Sequence, residues 1–146
     1  MKVYIAYESK YGNGKKCIEH LQGILSKKGH DVETSSIREI KPNALPQADL
    51  YIFSSPTHIG NPPMKMRKFL KNLEVKQEGA KYALMATCMD AKFYDRTKAL
   101  QIMEALLQPK GMIKVSDGIK IKVTGMKGPL GTGYEEKLDA FVKEIL

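Results

Sequence analysis

Two short stretches combine residue types that could hold a ligand. The first is Glu8-Ser9-Lys10-Tyr11-Gly12-Asn13-Gly14-Lys15. It lies between an apolar run and a helical pattern, so its backbone N–H groups and the helix dipole favour an anion such as phosphate. Ser9 can donate a hydroxyl, and Gly12 and Gly14 let the chain turn tightly. A P-loop is excluded because Gly14-Lys15 is followed by Lys16 and Ser9 stands where the first glycine belongs. The dinucleotide fingerprint fails as well, since Cys17 occupies its third glycine position. The same residues also make an ordinary tight turn, and the segment alone does not decide between the two.

The second stretch is Ser54-Ser55-Pro56-Thr57-His58-Ile59-Gly60-Asn61-Pro62-Pro63. Its three prolines stiffen it into a fixed edge for a planar ligand. Thr57 and the backbone can hydrogen-bond, while His58 and Ile59 can cover a ring. A solvated loop histidine is the plainer reading of His58.

The elements that must position these stretches follow from periodicity. Val3-Tyr4-Ile5-Ala6-Tyr7 and Leu50-Tyr51-Ile52-Phe53 are near-continuous apolar runs, which suit strands buried on both faces of a parallel sheet. His30 to Ser35 predicts a more exposed second strand, Tyr82 to Ala86 a fourth, and alternating Ile119 to Val123 an edge strand. Cys17, Ile18, Leu21, Ile24 and Leu25 share one helix face, with Gly29 as the stop. Pro62-Pro63 opens a second helix, Tyr94 to Leu107 forms a third, and Tyr134 to Ile145 a fourth. Strands alternating with helices imply an α/β domain with a mostly parallel sheet. Ligands in such sheets bind beyond the carboxyl ends of the strands, which directs attention to the loops after strands one, three and four.

The 146 residues suit one domain, spanning 1–146. Two cysteines at this separation fit neither a disulfide scaffold nor a zinc pattern, and Cys17 reads as core. No apolar stretch is long enough to span a membrane, and the N-terminus reads as a strand, not a signal peptide. A cytoplasmic protein is expected. The net charge is +8, with twelve basic and six acidic residues in 1–73 against twelve and ten in the remainder. Such an excess fits an acidic partner, nucleic acid or an anionic surface. The lysine-rich runs fall on helix faces, where solvation is their usual meaning, which argues against nucleic acid.

A strand leading into Ser-x-x-Gly-Asn at a helix start, then a strand ending in Ser-Pro-Thr-x-x-Gly-x-x-Pro, resembles the flavodoxin family of the short-chain type. The resemblance implies a three-layer sandwich: a five-stranded parallel sheet in order 2-1-3-4-5 with helices on both faces. It further implies non-covalent FMN. The phosphate would lie on Ser9, Lys10, Tyr11, Gly12, Asn13 and Gly14. The ring would sit between Pro56, Thr57, His58, Ile59 and Gly60 on one side and the segment Thr87 to Tyr94 on the other. In that segment Thr87, Cys88, Met89, Asp90 and Tyr94 are the implied contacts, with Asp90 disfavouring negative charge on the reduced ring. The family commonly has threonine or serine where this chain has Gly14, and stacks an aromatic residue on the flavin. This chain has no Trp, leaving His58, Phe93 or Tyr94. Cys88 reads more readily as a small buried hydrophobe than as a redox centre.

The resemblance implies an electron carrier between redox partner proteins, with the basic excess docking an acidic partner and the protein a monomer or weak dimer. An NAD(P)H-dependent quinone or flavin reductase on the same fold is the alternative; it needs room for a second planar molecule, and this chain offers no extra lid. A response-regulator receiver is excluded, since strand three ends in Ser54-Ser55 instead of a phosphoacceptor Asp.

Overall fold

A computed structural model describes residues 1–89 and 97–146. The sequence-based assignments to Asp90, Phe93 and Tyr94 lie outside the described residues.

Strand β1 (Lys2–Tyr7) lies inside the sheet, with β2 (Asp31–Ser36) on one side and β3 (Leu50–Pro56) on the other. Val3 pairs with both Val32 and Leu50. Strand β4 (Lys81–Met89) follows β3 with Ile52 opposite Ala83. The next position is shared by two segments: β5 (Ile113–Lys114) lies against Lys81 and Tyr82, and β6 (Ile119–Val123) against Met85 to Met89. All five pairings are parallel. The expected order therefore holds, with an edge strand interrupted in its middle. Two residues are too few for a periodicity signal, which is why the sequence showed only the second segment.

Both faces of the sheet are covered, which explains the unbroken apolar runs of β1 and β3. On one face α1 (Asn13–Lys27) and α4 (Tyr134–Ile145) pack Cys17, Ile18, Leu21, Leu25, Leu138, Phe141 and Val142 against Val3, Ile5, Leu50 and Ile52. On the other, α2 (Met64–Lys71) and α3 (Ala99–Leu107) pack Met66, Phe69, Leu70, Met103 and Leu107 against Tyr4, Ala6, Tyr51 and Phe53. Each large side chain so buried contributes about 1.5–3 kcal/mol relative to exposure. Helix α1 ends where predicted, with Gly29 in the left-handed region at φ +88°.

Several boundaries differ from expectation. β3 runs three residues beyond Phe53, because Ser54, Ser55 and Pro56 pair with Met85, Ala86 and Thr87. β4 runs three residues beyond Ala86, because Thr87, Cys88 and Met89 pair with Ile121, Lys122 and Val123. These three residues thus belong to a strand end instead of a loop. The described part of α3 begins at Ala99, not at Tyr94; Thr97 and Lys98 are non-helical. Instead, the Ala99 N–H donates to the Thr97 hydroxyl at 3.2 Å, and the Lys98 N–H donates to the Gly60 carbonyl at 3.3 Å. Among the described residues no helix is long and apolar enough to cross a membrane.

Candidate functional site

The carboxyl ends of β1, β3, β4 and β6 open onto one cavity of about 500 Å³. That volume falls in the ordinary range for small-ligand sites, about 300–1,000 Å³.

The first wall comes from the segment after β1. Ser9, Lys10, Tyr11, Asn13 and Gly14 all line the cavity. Gly12 does not; at φ +89° it turns the chain into α1, and its carbonyl accepts the Lys16 N–H at 3.0 Å. Ser9 Oγ accepts the Lys15 N–H at 3.3 Å, fixing the hydroxyl beside the helix start. Lys10 Nζ lies 5.4 Å from the Tyr11 ring centroid, a cation–π distance. The position of Gly14 is roomy: a Cβ there would meet Ser9 and the Glu8 carbonyl only at 3.5–3.6 Å, ordinary contact. The absent hydroxyl at 14 is therefore not imposed by packing.

The second wall is the last residue of β3 and the segment after it. Pro56, Thr57, His58, Ile59 and Gly60 all line the cavity. His58 and Asn61 exchange backbone hydrogen bonds at 2.7 and 3.1 Å, closing a two-residue turn. Its central residues have positive φ: +50° at Ile59 and +78° at Gly60. A β-branched residue in that region is strained, yet Ile59 is 79% exposed and gains no burial in return.

Thr87, Cys88 and Met89 at the end of β4 make the third wall. The Thr57 N–H donates to the Thr87 carbonyl at 3.0 Å, and Thr57 Oγ1 lies 3.1 Å from Cys88 Sγ, so the second and third walls are tied together. Burial raises the Cys88 thiol, an effect the Thr57 hydrogen bond only partly offsets. It is a buried, protonated packing residue at neutral pH, as its sequence reading suggested.

Sequence reasoning missed several lining residues. Glu8 is buried; its Oε1 accepts from Arg38 Nε at 2.9 Å, while its Oε2 has no partner among the described residues. Arg38 reaches the cavity from just beyond β2, and Lys65 and Pro63 from the start of α2. No local motif marks them. Val123, Gly125 and Met126 also line it, from the end of β6 and the loop beyond. The rule that ligands sit at strand carboxyl ends covers this loop too. Among the described residues no cluster of His, Cys, Asp and Glu could hold a metal ion.

A doubly covered parallel sheet in this order, with a loop-lined cavity at its carboxyl edge, defines a flavodoxin-like fold. Residues 4–118 match the family model described as a flavodoxin domain, and the chain belongs to the flavodoxin family, whose cofactor is a flavin, typically FMN. Flavodoxin 2 of Bacillus cereus is similar over 99% of this chain and 97% of its own, with 23% identity and a TM-score of 0.82. Flavodoxin 1 of the same organism shows 22% identity over the same shares, at a TM-score of 0.80. The Streptococcus pneumoniae flavodoxin shows 21% identity, again over 99% and 97%, at 0.80. At these identities the likeness shows the fold. No curated protein matches the chain.

Proposed function

We propose that residues 1–146 form one FMN-binding unit that carries electrons between redox partner proteins. The observation that carries this reading is the convergence of the segments after β1 and β3 and the end of β4 on one cavity, in a chain of the flavodoxin family. A bound flavin supplies the one- or two-electron chemistry; the protein holds it, shields it and sets its potential. The donor set fits. The Ser9 hydroxyl and the first turn of α1 suit the phosphate. The ends of β3 and β4 offer flat walls for the ring, with Ile59, Met89 and Met126 at the rim.

The charged side chains of the described lining are Lys10, Arg38 and Lys65 against Glu8. This basic balance favours the reduced, negatively charged flavin and raises its reduction potential relative to an acidic site. The exposed apolar residues Tyr11, Ile59, Met89 and Met126 line the same opening among these basic side chains. An apolar centre with a basic rim suits a partner whose docking surface is acidic.

The test is purification followed by FMN titration. The reading predicts a yellow protein, or a colourless one that takes up one FMN, with flavin absorption that bleaches on reduction. A colourless protein that takes up no FMN overturns it. Steady-state NADPH oxidation with a quinone by the protein alone overturns the carrier assignment in favour of a reductase.

A further inference from the structure

The loop between β6 and α4 presses its tightest point onto the first residue of α1. A Cβ added to Gly128 would stand 2.6 Å from Asn13 Oδ1, 3.1 Å from Nδ2 and 3.2 Å from Cγ. The Asn13 carboxamide therefore rests directly against the bare Cα of Gly128. Asn13 is itself buried and lines the cavity, so the cavity is where its carboxamide can move.

The loop is braced on its own account. The Thr124 N–H and hydroxyl both donate to the Pro129 carbonyl at 2.9 Å. The Gly128 N–H donates to the Gly125 carbonyl at 3.1 Å, and the Gly131 N–H to the Lys122 carbonyl at 2.7 Å. Val123 and Leu130 form an antiparallel bridge at its base. A methyl at 128 would thus meet a held loop on one side and a movable carboxamide on the other. Asn13 is the group that gives way: its carboxamide is turned from its place beside the first turn of α1, whose leading N–H groups have no helical acceptor.

We propose that Gly128 is a positioning residue for phosphate recognition: its missing side chain sets the Asn13 carboxamide in place, at the start of α1, to receive the phosphate of the flavin. The inference rests on the FMN reading and deepens it. Neither Gly128 nor its loop belongs to the segments that the sequence resemblance implicates. Its φ of +101° also strains any side chain, so the test must separate positioning from general damage.

Riboflavin, which has the same ring and ribityl chain without the phosphate, separates them. Dissociation constants for FMN and riboflavin are measured by quenching of flavin fluorescence in the wild type, Gly128→Ala, Asn13→Ala and the double variant. The wild type should prefer FMN. Gly128→Ala should lower that preference about 10- to 100-fold, the worth of one hydrogen bond to a charged group, and leave riboflavin binding within about twofold. Asn13→Ala should lose a similar preference, and the double variant no more than either single. An equal loss for both flavins in Gly128→Ala, or none, overturns the positioning role while leaving FMN binding intact. If Gly128→Ala does not fold, an unchanged FMN preference in Asn13→Ala overturns it. A wild type that binds neither flavin overturns the function reading itself, and this inference with it.

Discussion

The two ends of the same parallel strands are built in opposite ways. At the amino end, the Lys2 N–H donates to Asp49 Oδ2 at 2.7 Å and the Asp49 N–H donates back to the Lys2 carbonyl at 2.8 Å. Gln77 Nε2 donates to the Ala48 carbonyl and, at 3.0 Å, to the Tyr51 hydroxyl, which in turn donates to the Pro46 carbonyl at 2.6 Å. The cleft there is lined by residues that satisfy one another. At the carboxyl end, Glu8 Oε2 and Ser54 Oγ are buried with no partner among the described residues. Ile59 is strained and exposed, and four apolar side chains stand open at the rim. One end closes on itself; the other holds polar atoms, strain and apolar surface in reserve. Such features concentrate where a ligand completes the structure.

Substitutions at the two ends should therefore differ in what they touch, and only the carboxyl end should offer substitutions that gain stability or affinity. The largest effect is expected for Arg38→Ala, which leaves the buried Glu8 carboxylate without its cation. A loss of about 2–4 kcal/mol by chemical denaturation is predicted, the lower end reflecting the half-exposed arginine. Gln77→Ala, at the amino end, should cost about 2 kcal/mol for two hydrogen bonds and leave FMN affinity unchanged by titration. A change in affinity there would blur the distinction between the ends. Gly14→Ser should act the other way: the space is free, so the added hydroxyl tightens FMN about tenfold without loss of stability. Ile59→Gly should stabilise by about 1 kcal/mol by relieving a positive φ, a gain that no residue of the amino-end cleft offers.

The smallest effect at neutral pH concerns the thiols. Burial pushes the Cys17 thiol from the ordinary 9.0 up to about 12 and raises Cys88 as well. The unfolded chain then releases these protons at lower pH than the folded chain. Their contribution to stability is intact below pH 9 and is lost as pH climbs toward 12. Denaturation midpoints should fall across that window, and Cys17→Ala should flatten the fall. At pH 7 neither thiol should react with a thiol reagent until the protein unfolds.

Legibility from sequence followed locality. The strands β1 and β3 and the helices α1 and α4 were readable because burial on both faces or on one stripe writes itself into consecutive residues. The Ser9–Gly14 and Pro56–Gly60 segments were readable as departures from those patterns. What escaped depends on partners distant in the chain. The final three residues of β4 are strand because Ile121, Lys122 and Val123 lie beside them on one side and Pro56 beside Thr87 on the other. Glu8 gains meaning from Arg38, thirty residues on, and Asn13 from Gly128. In each case the informative contact joins segments that the fold brings together and the sequence keeps apart.

Hydrogen exchange of backbone amides, with and without saturating FMN, tests the contrast between the two ends most directly. FMN should slow exchange in residues 9–16, 57–61 and 87–89 and in the loop carrying Gly125 to Gly128. It should leave the amides around Lys2, Asp49 and Gln77 unchanged. Protection confined to the amino-end cleft, or no protection at the carboxyl end under saturating FMN, would contradict the assignment of the cavity as the flavin site.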